Sequence, residues 1–153
     1  TGMSDLVLVF AGYPKQLKQQ FIEQISKDIS WEKFVYFTGS LVDSDFPVIF
    51  SGCELMLFLS WAEGFGLPPL EAMSCGVPVV CSNRTSLPEV VGDSAVLVDP
   101  ADKDSVCAAI LRVLNESTLR EDLVEKGLQR SQLFTWDNVA DRVAGVWNAA
   151  LSI

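Results

Sequence analysis

The stretch that decides the fold runs from residue 55 to residue 73. It begins with an apolar run, Leu55-Met56-Leu57-Phe58-Leu59, and continues through Ser60-Trp61-Ala62 into Glu63-Gly64-Phe65-Gly66-Leu67-Pro68-Pro69-Leu70-Glu71-Ala72-Met73. The continuous apolar run predicts a buried strand. Two glycines followed by two prolines predict a tight turn and a helix that begins near Pro68, since proline in the first helical turn loses no hydrogen bond. Gly76 marks the predicted end of that helix.

Apolar runs of the same kind recur on both sides of this stretch, at residues 6–10, 34–37, 77–81 and 95–98. Helical patterns lie between them. A short helix is predicted around residues 47–51, and four-residue spacing predicts a longer one that carries Leu17, Phe21, Ile25 and Ile29. Continuous apolar strands that alternate with helices predict an α/β fold, with a Rossmann-like parallel sheet and helices on both faces.

Three helical patterns complete the chain, and each has a candidate N-cap in Asp102, Ser117 or Thr135. The second of these helices is predicted to end near Gly127. Packing against the core is expected for the tryptophans Trp31, Trp136 and Trp147.

The composition is that of a single globular domain. Of 153 residues, 49% are apolar and 20% are charged, which supports a packed core and argues against disorder. A net charge of −9 argues against binding to nucleic acid. The chain has no histidine, which excludes a histidine base, a Ser-His-Asp triad and a His-ligated metal site within it. No apolar run is long enough to cross a bilayer, and no secretory leader is visible.

The four cysteines, Cys53, Cys75, Cys81 and Cys107, lack the C-x-x-C spacing of zinc and redox sites. Each lies among apolar residues in the sequence, so we expect reduced, buried thiols. Reduced thiols agree with a cytoplasmic protein.

The loop and helix that follow residue 59 are the candidate binding site, because ligands of open parallel sheets bind beyond the carboxyl ends of the strands. Free N–H groups and the positive dipole end of a helix favour a phosphate. Carboxylates such as Glu63 and Glu71 can accept hydrogen bonds from vicinal hydroxyls. Together these features predict a nucleotide-sugar site. The alternative is a tight turn with ordinary first-turn carboxylates.

The motif Glu63-x7-Glu71 resembles that of retaining glycosyltransferases with the GT-B fold, in particular family four. Further matches, in order and at similar spacing, are Gly76-Val77-Pro78-Val79-Val80, Leu87-Pro88-Glu89-Val90-Val91-Gly92, Ala95-Val96-Leu97-Val98-Asp99-Pro100 and Phe134-Thr135-Trp136. The resemblance implies that residues 1–153 form the carboxy-terminal, nucleotide-sugar-binding domain of such an enzyme.

The same resemblance implies the roles of the site residues. Glu71 would hold the ribose hydroxyls of a nucleoside-diphosphate sugar, and Glu63 would contact the transferred sugar; neither would be a nucleophile or a base. The sugar and diphosphate would meet the backbone of Gly64, Phe65, Gly66 and Leu67. The base would lie beside Thr38, Gly39, Ser40 and Leu41, although Thr-Gly is also an ordinary turn. No metal or other cofactor is expected.

Departures from the family pattern are equally informative. Residues 6–10 align best with the family's second strand, so the first strand and the cationic loop after it are expected to be absent. Arg84 follows a strand end and is a candidate for the donor site, whereas Lys15 is expected to be solvated. The acceptor-binding amino-terminal domain is absent from the match as well. The chain alone is therefore expected to be inactive, and the alternative is a non-catalytic nucleotide or nucleotide-sugar binding module.

Loss of a central strand predicts one of two arrangements for the sheet. Residues 6–10 could pair directly with residues 55–59, which gives one five-stranded sheet. Alternatively, a second copy of the chain could cover the gap, and the terminal helix, which in the family packs on the amino-terminal domain, could expose an apolar face. Direct closure is the favoured arrangement. A cytoplasmic location is expected, with the missing domain able to bring the enzyme to the cytosolic face of a membrane.

Overall fold

The structure is a computed structural model that describes residues 6–12, 21, 23 and 34–151. The chain divides into two compact units, Thr1–Phe46 and Pro47–Ile153. Each unit is described by itself.

The first unit contains two parallel strands, β1 (Leu8–Ala11) and β2 (Val35–Gly39), with Leu8 opposite Val35. Both lie where the apolar runs predict strands. Their side chains hold a small aromatic cluster: the ring of Phe10 stacks on Phe37 at 5.0 Å and meets Phe21 edge-on at 4.7 Å. A single 3-10 turn follows at Asp43–Asp45.

One expectation for this unit is wrong, and a second lies largely outside the described residues. The run at residues 6–10 was expected to be buried, but Leu8 and Val9 are each 43% exposed, because among the described residues β1 has a neighbouring strand on one side only. Of the helix predicted over residues 17–29, Phe21 and Glu23 are helical. The rest of that helix, together with Lys15 and Trp31, lies outside the described residues.

The second unit holds a three-stranded parallel sheet in the order β3-β4-β5. Its strands are β3 (Met56–Phe58), β4 (Val79–Ser82) and β5 (Val96–Val98). Its helices are α1 (Phe46–Ser51, which starts at the last residue of the first unit), α2 (Leu67–Ser74), α3 (Leu87–Val91), α4 (Lys103–Asn115), α5 (Ser117–Ser131) and α6 (Trp136–Leu151). These elements confirm the predicted α/β fold with a parallel sheet.

The core of this unit lies between the sheet and helices α4 and α5. All four residues of β4 are buried, as expected for a central parallel strand covered on both faces. A cluster of buried apolar side chains joins the sheet to these helices: Val80, Val98, Val106, Ala109, Val113 and Leu123. This cluster holds β4 and β5 in place beneath the loops that follow them.

Helix ends show which local signals were correct. Asp102 caps α4 by accepting hydrogen bonds from the N–H groups of Asp104 and Ser105, both 3.1 Å, and Thr135 accepts one from Asn138 at 3.2 Å before α6. The Ser117 prediction is wrong: Ser117 is the first residue of α5, and Glu116 precedes it as a cap without a side-chain hydrogen bond.

The predicted helix end at Gly127 is also wrong, because α5 continues to Ser131. Gly127 is buried inside the helix, where an added Cβ would lie 3.1 Å from Cγ of Met73 in α2. This glycine therefore permits a close approach of two helices rather than ending one of them.

The prediction of a single five-stranded sheet is wrong. Within the described residues β1 pairs with β2 and β3 pairs with β4, and no hydrogen-bonded pairing joins β1 to β3. Direct closure would require β1 and β3 to lie one strand spacing apart, about 4.8 Å, with all their flanking helices adjusted to fit. The two sheets instead have the strand orders that remain when the first strand of the 3-2-1-4-5-6 arrangement is left out. Self-association stays a prediction.

Surface exposure corrects two further expectations. Trp136 and Trp147 are 85% and 67% exposed, and no residue of α6 is buried, so these tryptophans do not pack on a core. The four cysteines are free, but only Cys81 is buried; Cys53 and Cys75 are half-buried and Cys107 is exposed on α4. Across the described part of the chain, no helix combines the length and the hydropathy that crossing a membrane requires.

Candidate functional site

The candidate site lies at the carboxyl edge of the β3-β4-β5 sheet. Because these strands are parallel, the segments that follow them begin at the same edge. The segment after β3 runs from residue 59 to Gly66 and leads into α2, and the segment after β4 leads into α3. The structure thus brings together Glu63, Gly64, Phe65, Gly66 and Leu67 on one segment and Arg84 on its neighbour.

Gly66 makes the turn into α2 possible. It is the N-cap of the helix and has a φ of 118°, a conformation that side chains rarely adopt. A Cβ at this position would lie 2.8 Å from Cδ2 of Leu87, a fully buried residue at the start of α3. The glycine is therefore required both by the backbone and by the space between two helices.

The segment from Gly64 to Leu67 presents unused backbone donors. Within the described part of the chain, none of its four N–H groups donates a hydrogen bond. Pro68 and Pro69 follow in the first turn of α2, where their lack of an N–H removes no helical hydrogen bond. Free N–H groups at the positive end of a helix form a suitable environment for a diphosphate.

The two carboxylates of the motif flank these donors along the chain. Glu63 is half-buried before the glycines, and Glu71 is exposed on α2. Among the described residues neither carboxylate takes part in a side-chain hydrogen bond or an ion pair. Both are therefore available to a ligand with hydroxyl groups.

Arg84 is held by Asp99, which follows β5. Its Nη2 lies 2.8 Å from Oδ1 of Asp99, and both side chains are half-exposed. The backbone N–H of Ala101 also donates to Oδ1, at 3.0 Å. This N–H and the Arg84 guanidinium lower the pKa of the Asp99 carboxyl below its ordinary value. Arg84 is thus anchored at the edge of the site, with part of its guanidinium still open to solvent.

Phe65 has an aromatic support that sequence analysis did not identify. Its ring meets the ring of Phe134 edge-on at 5.8 Å. The guanidinium of Arg130 lies 5.1 Å from the centre of the Phe134 ring and donates hydrogen bonds to the carbonyls of Glu89, at 2.6 Å, and Val90, at 2.9 Å. The loop is thereby tied to the end of α3 and to the turn before α6.

Thr85 and Ser86 are two more residues that sequence analysis did not select. The N–H of Glu63 donates to Oγ1 of Thr85 at 3.0 Å. Oγ of Ser86 donates to the carbonyls of Glu63, at 3.0 Å, and Phe65, at 2.7 Å. A signal existed, since two hydroxyl residues follow a strand end next to Arg84, but hydroxyls in loops are too common to single out.

The remaining candidate residues belong to the first unit. Thr38 and Gly39 are the last residues of β2, whereas Ser40 is exposed and Leu41 is half-buried after it. Oγ1 of Thr38 accepts a hydrogen bond from the N–H of Gly12 at 3.0 Å, and it lies 2.9 Å from the carbonyl oxygen of Gly39. The Thr38 side chain therefore joins the carboxyl ends of β1 and β2.

The residues described contain no group of three or more His, Cys, Asp or Glu side chains that could hold a metal ion. The chemistry that the second unit offers is hydrogen bonding: backbone donors from the glycine segment, carboxylate acceptors from Glu63 and Glu71, and one anchored guanidinium from Arg84.

Parallel sheets flanked by helices, with a glycine-bounded segment at the carboxyl edge, define a Rossmann-like α/β protein. The chain belongs to the family described as glycosyl transferases group 1, which it matches over residues 3–130. Its fold is one half of the GT-B fold of such enzymes, as the resemblance implied.

Named relatives and solved structures agree with this family and fold. The O-antigen chain mannosyltransferase B of Escherichia coli is 41% identical over 131 residues, which is 86% of this chain and 34% of that protein. The C-terminal domain of the group 1 family glycosyl transferase LpcC from Francisella tularensis superposes with a TM-score of 0.72 at 26% identity, over 86% of this chain and 70% of that one. Anabaena Alr3699/HepE in complex with UDP-glucose gives a TM-score of 0.81 at 22% identity, over 95% and 42%. The chain spans about a third of the length of the E. coli enzyme.

Proposed function

We propose that the chain is the donor-binding half of a retaining glycosyltransferase, which transfers a sugar from a nucleoside-diphosphate sugar to an acceptor. The observation that supports this most directly is the arrangement along residues 63–71: two carboxylates without partners in the described residues, on either side of four free backbone N–H groups. Hydroxyl acceptors beside diphosphate donors are what a nucleotide sugar requires.

In this proposal each carboxylate has a separate task. Glu71 accepts hydrogen bonds from the ribose hydroxyls, and Glu63 accepts them from the transferred sugar. The N–H groups from Gly64 to Leu67 stabilise the negative charge that develops on the departing diphosphate. Neither carboxylate forms a covalent bond to the sugar. Thr38 to Leu41 lie beside the base.

Arg84 contributes a positive charge near the diphosphate. The chain carries a net charge of −9, so a dianionic ligand needs local cations or donors to overcome the overall repulsion. Asp99 fixes the guanidinium at one end, which reduces the side-chain entropy that binding would otherwise cost.

Mannose is the first sugar to test, because the E. coli relative at 41% identity is named as a mannosyltransferase. The 153 residues alone are proposed to bind a donor without transferring it, since the relative is about three times as long. A site that is open on one side also leaves water in contact with the donor, and this water weakens the electrostatic interactions that turnover requires.

A thermal-shift screen tests the proposal. The purified chain is heated with nucleoside diphosphates, mannose-bearing and glucose-bearing nucleotide sugars, and free mannose as a control. A ligand at one hundred times its Kd stabilises the folded state by about 2.7 kcal/mol, so binding raises Tm by several degrees. Stabilisation by diphosphates and nucleotide sugars, but not by mannose, is expected. No shift with any nucleotide would contradict the proposed function.

A further inference from the structure

Three hydrogen bonds connect the segment that carries Glu63 to the segment after β4, and all three use side-chain hydroxyls on the second segment. Thr85 accepts the N–H of Glu63, and Ser86 donates to the carbonyls of Glu63 and Phe65. Both backbone polar groups of Glu63 are therefore held by side chains. Its carboxylate, in contrast, has no side-chain partner among the described residues.

The backbone of Thr85 is unusual. With a φ of 50° it is the one non-glycine residue with a positive φ in the described part of the chain. A β-branched residue in this region is strained, and glycine or asparagine would adopt it at lower cost. Glycine, however, has no hydroxyl to accept the N–H of Glu63. Strained residues persist only where the surroundings hold them, and here the hydrogen bond to Glu63 does so.

Ser86 acts on the other side of Glu63. Its Oγ lies 2.7 Å from the carbonyl oxygen of Phe65 and 3.0 Å from that of Glu63. Ser86 is half-buried just before α3, whose first residue Leu87 is fully buried. The hydroxyl therefore stands next to the buried start of a helix, and it binds the carbonyls of the two residues on either side of Gly64.

We propose that Thr85 and Ser86 are positioning residues that fix the Glu63 peptide units, so that the Glu63 carboxylate meets the sugar of the donor. The inference rests on the proposed function, because it assigns the donor sugar to Glu63. It adds that the selectivity for a sugar-bearing nucleotide over the plain diphosphate depends on two hydroxyls that themselves contact only backbone.

The first test concerns the hydrogen bonds that Thr85 and Ser86 make to the backbone of Glu63 and Phe65, which we call the clamp, and it needs no ligand. Thr85→Val keeps the β-branched shape and removes the acceptor, whereas Thr85→Ser keeps the hydroxyl. Amide hydrogen exchange followed by NMR should accelerate at Glu63 by about ten-fold or more in T85V and stay near the wild-type rate in T85S. Ser131→Ala, which removes a hydroxyl bonded to the carbonyl of Leu128 on α5, is the control and should leave Glu63 unchanged.

The second test concerns the sugar. Calorimetry with a mannose-bearing nucleotide sugar and its parent diphosphate gives the ratio of the two affinities. T85V and Ser86→Ala should lower that ratio by about five-fold or more, while the diphosphate affinity stays within two-fold of wild type. T85S and Ser86→Thr keep the hydroxyl and should therefore keep the wild-type ratio. Ser86→Ala provides a second variant in case T85V does not fold.

Several outcomes would overturn the proposal. Unchanged Glu63 exchange in T85V would show that the hydroxyl does not hold the peptide. Faster exchange with an unchanged affinity ratio would show that the clamp is structural only. A wild-type chain that binds no nucleotide would contradict the proposed function, and with it any role of the clamp in donor binding, while the exchange data would still report whether Thr85 holds Glu63.

Discussion

Gly66 lies so close to Leu87 that no residue with a Cβ fits at position 66: the Cβ would lie 2.8 Å from Cδ2 of Leu87. Leu87 is fully buried at the start of α3, and Gly66 has a φ of 118° at the start of α2. The beginnings of two helices thus meet at one glycine, which is itself part of the segment that carries the proposed donor site.

We predict that Gly66→Ala lowers the free energy of unfolding by ~2–4 kcal/mol, because it combines backbone strain with overpacking against a buried side chain. Gly64→Ala is the matched control, two residues earlier in the same segment, where a Cβ would meet nothing within 4 Å. Urea unfolding measures both variants. Equal losses would show that the space around Gly66 is less constrained than the distance indicates.

Glu71→Ala should weaken nucleoside-diphosphate binding by ~1.5–3 kcal/mol, the range for hydrogen bonds to a charged group. Glu63→Ala should hardly affect a plain diphosphate, which lacks the sugar that Glu63 is proposed to contact, but it should impair a full-length enzyme. Calorimetry on the two variants separates these roles. Equal losses for both with a diphosphate would contradict the division.

Acidification should release Arg84. Because the pKa of Asp99 is lowered by the Ala101 N–H and by Arg84, the ionised carboxylate favours the folded state above the ordinary pKa of 3.8, and this contribution is lost as the pH falls through the lower, folded-state value. NMR titration of the Asp99 carboxyl should give a midpoint below 3.8, and Arg84→Gln should raise it. Arg112→Gln removes the same charge from the separate Arg112–Glu116 pair and should not move the Asp99 midpoint.

Thiol modification should distinguish the cysteines by burial. Burial raises the pKa of the Cys81 thiol to about 12, so at pH 8 almost none of it is the reactive thiolate. Iodoacetamide should label the exposed Cys107 in the folded chain and Cys81 only in urea, as measured by peptide mass spectrometry. Early labelling of Cys81 in a Cys107→Ser variant would show that β4 opens under native conditions.

The purified 153-residue chain should show no sugar transfer, since it matches about a third of the E. coli relative. Incubation with mannose-bearing and glucose-bearing nucleotide sugars, followed by chromatography, should detect neither transfer nor measurable hydrolysis of the donor. Turnover that copurifies with the chain would refute this prediction.

Much of the fold could be predicted because its signals are local. Apolar runs located all five strands that the described residues form, and Asp102 and Thr135 correctly marked two helix starts. Gly127 misled because a glycine that ends a helix and one that lets two helices approach look alike in sequence. Pairing of β1 with β3 could not be judged from the sequence, since apolar content does not specify which strand neighbours which.

The candidate site, like the fold, could be predicted only in part. Glu63, Glu71 and the glycines between them form a contiguous motif, so their shared location follows from chain connectivity. The supports of that motif lie far away in sequence: Thr85 and Ser86 after β4, and Phe134 after α5. Asp99, which follows β5, holds the neighbouring Arg84. Contacts of this kind depend on sheet order and helix packing, which no local pattern encodes.

The close crossing of α2 and α5 at Gly127 has a consequence for engineering this domain. Met73 and Gly127 bring α2, which also carries Glu71, into close contact with α5. Exchange of residues on the solvent side of the loop should then leave the Glu71 carboxylate, proposed above to bind ribose, at its position on α2, provided that Met73 and Gly127 are retained. The contact between the two helices thus supports the helix that carries Glu71, in addition to the loop contacts of Glu63, Phe65 and Gly66.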